Sequence, residues 1–214
     1  MFILATHSIE FPPVFLANKD GLLAFGGDLS VNRLYAAYQN GIFPWYNEGE
    51  EILWWAPDPR MVLFPEEIKI SKSMRSLIRK NKYKITENQA FEAVIHYCSK
   101  VERPGQEGTW LNPDMIKAYT DLHHQGKAFS VEVWNEDEKL VGGLYGVKTN
   151  AEVLSGESMF HLEPNTSKLA FIYLAQKALE KHIKIIDCQL YTQHLASLGA
   201  RPVKRSEFMT YLQA

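Results

Sequence analysis

The chain has 214 residues, 46% of them apolar and 22% charged, with a formal net charge of −2. This is the composition of an ordinary globular protein with enough chain for one large core or two small ones, which argues against a disordered or low-complexity class. No apolar run approaches the roughly 18 residues of a membrane span, and Met1–Glu10 lacks a basic segment followed by an apolar one, so neither a membrane protein nor a secretory leader is expected.

Residues 1–65 are rich in Gly, Pro and aromatics and read as a small N-terminal domain. Phe11-Pro12-Pro13 opens a loop. Leu34, Ala37 and Tyr38 at helical spacing predict a helix from Val31 to about Asn40, with Gly41 as its stop. Trp45, Trp54 and Trp55 read as core.

Residues 66–214 are more regular. Ser71 is placed to cap a helix to about Lys80, with Met74, Leu77 and Ile78 inward and Lys72, Arg75 and Arg79 outward. Between Ile68 and Lys84 lie seven bases and no acid, which leaves 16 bases against 25 acids elsewhere. Such a segment is either a solvated face or a patch that binds a polyanion. Ala90, Phe91, Val94, Ile95 and Cys98 predict a second helix, and Asn112-Pro113 to Gly126 a third. Trp110, after a polar loop, is a candidate surface for stacking a single-stranded nucleic-acid end. Phe129–Trp134 and Leu140–Val147 form a hairpin, a third strand ends near Gly156, and Asn165-Thr166-Ser167 starts a helix to about His182. The order describes an α/β layer with a crossover into a final strand.

That final strand, Ile183 to Ile186 leading into Asp187-Cys188-Gln189, is apolar and β-branched enough to be central. Alternation aims Asp187 and Gln189 at one face and Cys188 at the other. Glu157, after Val153-Leu154, would share a cleft with them if the two strands are neighbours. Paired carboxylates there would bind a cation or handle protons, or would only cap the ends of the sheet. No His stands at ligand spacing beside either, so no metal is expected. Cys188 has no adjacent base and reads as a buried, inert thiol. The two cysteines, Cys98 and Cys188, form no CxxC pair, and a reducing cytoplasm fits them. No phosphate-cradling glycine pattern precedes the helix at Ser167, which counts against coenzyme A and nucleotide cofactors.

Nine segments, in order, resemble the bacterial leucyl/phenylalanyl-tRNA–protein transferases. They are Phe25-Gly26-Gly27-Asp28-Leu29, Gly41-Ile42-Phe43-Pro44-Trp45, Trp54-Trp55-Ala56-Pro57-Asp58-Pro59-Arg60, Gly108-Thr109-Trp110, Val141 to Val147, Gly156-Glu157-Ser158-Met159-Phe160, Asn165-Thr166-Ser167-Lys168, Asp187-Cys188-Gln189 and His194 to Ala200. The resemblance implies a small N-terminal domain on an acetyltransferase-like domain that has lost coenzyme A binding. It implies transfer of Leu, Phe or Met from aminoacyl-tRNA to proteins with N-terminal Lys or Arg, marking them for N-degron proteolysis. No cofactor, no membrane partner and no second subunit is expected. By resemblance Asp187, Gln189 and Glu157 would be catalytic. Trp45, Trp110, Tyr119, Leu144, Leu154, Met159 and Phe171 would bind the donor, and Lys72, Arg75 and Arg79 the tRNA. His161-Leu162 departs from the Ser-Arg of many relatives, and the chain stops at Ala214, where several relatives carry a tail. A different acyltransferase on the same fold and a non-catalytic RNA-binding module are the rival readings.

Overall fold

A computed structural model of the protein describes residues 2–6, 8–101 and 111–213. β1 (Phe2–Leu4), β2 (Leu22–Gly26), β3 (Phe43–Pro44) and β4 (Leu53–Trp55) form a sheet in the order β1-β2-β4-β3. α1 (Val31–Gln39) packs on β3, and Gly41 ends the helix with φ +71°. Only a residue without a Cβ turns there easily, and an added Cβ would also press on Leu212 and Phe208 near the C-terminus at 3.2 and 3.3 Å.

The second sheet has seven strands: β5 (Arg60–Leu63), β6 (Lys84–Glu87), β7 (Ala128–Trp134), β8 (Leu140–Lys148), β9 (Val153–His161), β10 (Ile185–Gln189) and β11 (Arg201–Val203), ordered β11-β5-β10-β9-β8-β7-β6. The remaining helices are α2 (Lys72–Arg79), α3 (Phe91–Ser99), α4 (Pro113–His124), α5 (Thr166–Glu180), α6 (Gln193–Ser197) and α7 (Arg205–Leu212). The fold is mixed α/β. Among the described residues no helix is long and apolar enough to cross a membrane.

Alternation along β7 and β8 sorts the two faces of the sheet. Val131, Val133 and Leu144 meet α5 through Ala170, Phe171 and Leu174. Tyr145 and Val147 face α3 and α4, in a core that also takes in Leu34, Tyr38 and Trp54 of the N-terminal segment. β5 already belongs to the large sheet, paired with β10 and β11, so the chain enters that sheet at Arg60, ahead of the division placed at 65. α5 links β9 to the parallel β10, the crossover read from the sequence.

Four local features differ from the sequence reading. β10 begins at Ile185 and not at Ile183, whose backbone N–H instead closes on the Ala178 carbonyl at 2.9 Å. β9 continues to His161 instead of ending near Gly156, because a bulge at Glu157 carries the strand past the glycine. α5 ends at Glu180, where His182 takes φ +58°. Ile78 is 38% exposed, because α2 settles on the sheet through Met74 and the half-buried Leu77.

Gly146, on β8, is crowded: an added Cβ would fall on the Ser155 carbonyl oxygen and 2.8 Å from the Phe129 ring. Gly146→Ala should therefore cost about 1–3 kcal/mol or more of stability. Urea unfolding of the variant beside the wild type measures it, and an unchanged midpoint would show that the ladder shifts freely.

Candidate active site

β9 and β10 pair in parallel only through Val153–Ser155 and Ile185–Asp187, then part. A bulge lies at the parting on each strand. Against β8, Gly156 pairs with Gly146 and Ser158 with Tyr145, which leaves Glu157 as the extra residue. Against β5, Asp187 pairs with Val62 and Gln189 with Met61, which leaves Cys188. Bulges bend a strand and re-aim its side chains. Gln189 takes φ +64°, a conformation uncommon for a side chain that size.

A cavity of about 410 Å³ fills the gap, a volume suited to a small organic group. Its wall is apolar: Leu144, Met159, Phe171, Leu174, Cys188 and Leu195. Glu157 and Gln189 stand at its polar side, and Trp45, His161 and His194 also line it. Trp45 is 36% exposed, its ring centroid 5.7 Å from that of Trp55, whose indole N–H donates to the Trp45 carbonyl at 2.7 Å.

Asp187 is buried and tied down. The Arg60 Nε donates to its Oδ1 at 2.8 Å and Nη2 to its Oδ2 at 2.7 Å. Both side chains are 1% exposed, so each charge depends on the other. The guanidinium lies between the Phe43 ring at 4.9 Å and the Phe208 ring at 5.0 Å. The Gln189 backbone N–H donates to Asp187 Oδ1 at 2.9 Å and fixes the turn after the strand. The Gln189 side-chain amide then donates to Glu157 Oε1 at 2.7 Å. With its NH₂ committed, the amide oxygen has no donor among the described residues.

Glu157 has hydroxyls where Asp187 has a cation. Tyr119 donates to its Oε2 at 3.2 Å, and the Tyr119 and Tyr38 hydroxyls are 2.5 Å apart. Burial pushes the Glu157 carboxyl up to about 7; the Asp187 charge adds to this, while Tyr38, Tyr119 and Arg60 oppose it. Burial likewise pushes the Cys188 thiol far above its usual range, with Asp187 adding, and its Sγ contacts the Ile186 carbonyl at 3.6 Å. It is a thiol and not a thiolate. Among the described residues no three His, Cys, Asp or Glu side chains are grouped to hold a metal ion.

The structure thus brings together Asp187, Gln189, Glu157, Trp45, Leu144, Met159 and Phe171. Tyr119 stands behind Glu157 and is fully buried. Leu154 does not line the cavity. It lies at the start of β9, beside Ile186, where the two strands are still paired. Lys72, Arg75 and Arg79 are exposed on α2, away from the cavity lining. Trp110 lies outside the described residues. Sequence reasoning missed Arg60 as the partner of Asp187, and Tyr38. The available signals for Arg60 were its place at the end of the Trp54–Arg60 segment and a cation opening the apolar run Met61-Val62-Leu63.

The family model described as leucyl/phenylalanyl-tRNA protein transferase matches residues 62–213, and the model of that family's N-terminal domain matches 27–58. Proteins named leucyl/phenylalanyl-tRNA–protein transferase from Christiangramia forsetii and Flavobacterium johnsoniae are 54% and 55% identical over 204 residues each. These alignments cover 95% of this chain and 96% and 95% of the relatives. One from Syntrophus aciditrophicus is 54% identical over 96% of this chain and 85% of its own. Among solved structures, a conserved protein of unknown function from Bacteroides thetaiotaomicron aligns with a TM-score of 0.51 at 14% identity, covering 69% of this chain and 56% of its own. A GCN5-related N-acetyltransferase from Kribbella flavida aligns with a TM-score of 0.43 at 11% identity, covering 78% and 59%.

The raised Glu157 pKa has a consequence for stability. A carboxyl near 7 when folded, against about 4.3 unfolded, keeps its proton in the folded state while the unfolded state loses it. Folding stability from this group is complete below about pH 4 and is lost as pH rises to about 7. Wild type should lose up to about 3 kcal/mol relative to Glu157→Gln over that interval, less where cavity water screens the charge. Urea midpoints of both proteins from pH 4.5 to 8 read it out. A gap that stays constant with pH would refute the shift.

Proposed function

The chain belongs to the leucyl/phenylalanyl-tRNA–protein transferase family, and we propose that it moves Leu, Phe or Met from aminoacyl-tRNA to the N-terminal Lys or Arg of acceptor proteins. The products carry a new apolar N-terminus that marks them for N-degron proteolysis in the cytoplasm. The observation that carries this reading is the apolar cavity between two parted strands, with the Gln189–Glu157 hydrogen bond on its polar side.

An aminoacyl ester is already activated, so the protein has to position it and manage one proton. The transferred side chain enters among Leu144, Met159 and Phe171, and Trp45 covers the terminal adenosine. The α-amino group of the acceptor attacks the ester carbonyl carbon. A C–N bond forms, the bond to the ribose oxygen breaks, and the amine's proton ends on that oxygen. Arg60 holds Asp187, Asp187 holds the Gln189 backbone, and Glu157 holds the Gln189 NH₂. The Gln189 amide oxygen accepts a hydrogen bond from the amine and aims its lone pair. Glu157, near 7, is divided between its two protonation states at neutral pH and can carry the proton between amine and leaving oxygen. It is also the carboxylate that faces the cationic end of the acceptor. Lys72, Arg75 and Arg79 grip the acceptor arm of the tRNA.

The test is transfer of labelled Leu or Phe from charged tRNA to a peptide beginning with Arg. Gln189→Ala should lower turnover by roughly 10²–10⁴. Cys188→Ser should keep most activity, and rapid quench should trap no aminoacyl adduct on Cys188. Finding that adduct, or a fully active Gln189→Ala, would overturn direct aminolysis.

Met159→Ala should change relative rates with Leu, Phe and Val donors by roughly ten- to two-hundredfold, the worth of a missing methylene or two in an apolar pocket. Equal ratios before and after would remove Met159 from it. Neutralising Lys72, Arg75 and Arg79 together should flatten the log–log salt dependence of tRNA binding by about two units. An unchanged slope would leave α2 as a solvated face.

A further inference from the structure

The mouth of the cavity holds donors that aminolysis does not use. Ser167 is 5% exposed and lines the cavity, and among the described residues its hydroxyl has no hydrogen-bond partner. It is the second residue of α5, and among the described residues the backbone N–H groups of Ser167 and Lys168 make no backbone hydrogen bond. Asn165, at φ +71°, gives the helix no side-chain cap. A 15-residue helix therefore begins at the cavity with unsatisfied donors, where the helix dipole favours negative charge. His194 and His161 line the same cavity. The His194 imidazole is held below its usual range by burial, by Lys168 and by His161, and no acid acts against them. Glu163, the nearest acid in sequence, is turned away to Tyr83 and Asn135.

We propose that Ser167, the free N–H groups of α5, Lys168, His161 and His194 form an anion subsite for the phosphodiester immediately 5′ to the terminal adenosine of the donor. This rests on the reading of the cavity as the aminoacyl-adenosine site. With the ester at Gln189 and the adenosine at Trp45, that phosphate is the next group along the donor. A singly charged tetrahedral oxyanion matches a hydroxyl, two backbone N–H groups, the Lys168 ammonium and the N–H donors of two imidazoles. The subsite would anchor the RNA end without reading its sequence.

Calorimetric titration with adenosine, adenosine 5′-(methyl phosphate) and inorganic phosphate tests this without catalysis. In the wild type the methyl phosphate should bind roughly tenfold or more tighter than adenosine, the worth of one or two charge-assisted hydrogen bonds. Ser167→Ala and Lys168→Ala should each reduce that ratio severalfold, with adenosine in the same variant as reference. A ratio near one in the wild type, or one that survives in both variants, would overturn the subsite while leaving the adenosine site standing. Binding of inorganic phosphate without either adenosine probe would instead make this a free-phosphate site. Binding of none of the three would sink the donor-site reading together with the subsite.

Discussion

β9 and β10 run side by side for three residues and then separate, and the separation is what gives this sheet an interior to work in. Parallel strands in the middle of a sheet normally stay paired, because an unpaired buried N–H or C=O costs free energy. Two bulges, at Glu157 against β8 and at Cys188 against β5, move the chain off the ladder on both sides of the gap. Side chains take over where the ladder stops. Asp187 accepts the Gln189 N–H, and Gln189 reaches across the gap to Glu157.

The two carboxyls at the gap have opposite environments. Asp187 has a guanidinium in bidentate contact, and Arg60 is itself clamped between Phe43 from the N-terminal segment and Phe208 from α7. A buried ion pair of this kind is weak evidence for net stability, because desolvation offsets much of the attraction. Its role here is to fix position: it ties the two ends of the chain to the residue that sets the Gln189 turn. Glu157 has only hydroxyls and an amide, so burial dominates and raises its pKa. Two acids joined through one glutamine are thereby separated in behaviour, one a fixed anchor and one a group able to change its proton near neutral pH.

Much of the framework was legible because it depends on local pattern. The apolar, β-branched approach to Asp187 marked a buried strand, all of whose residues are buried. Asn112 and Pro113 marked the start of α4, where the Asn112 side chain accepts from the Met115 N–H. Alternation predicted Asp187 and Gln189 on one face and Cys188 on the other, but the bulge at Cys188 breaks the alternation, and Cys188 and Gln189 line the same cavity while Asp187 lies behind them. The bulges were not legible, since an extra residue in a strand exists only relative to its partner's register. Arg60 and Asp187 lie 127 positions apart, and nothing local in either segment specifies the other. Leu154 stays out of the cavity lining for a related reason: an apolar strand residue reads the same whether its side chain faces a ligand pocket or the core packed on that face of the sheet.

As proposed, the gap between β9 and β10 holds the aminoacyl ester against Gln189. A crystal structure with a leucyl-adenosine analogue whose ester is replaced by a stable amide tests it most directly. The leucine side chain should lie among Leu144, Met159 and Phe171, with the carbonyl carbon within about 4 Å of the Gln189 amide oxygen or of an amine bound to it. An analogue seated outside the gap, or one whose carbonyl meets the Cys188 Sγ, would contradict it.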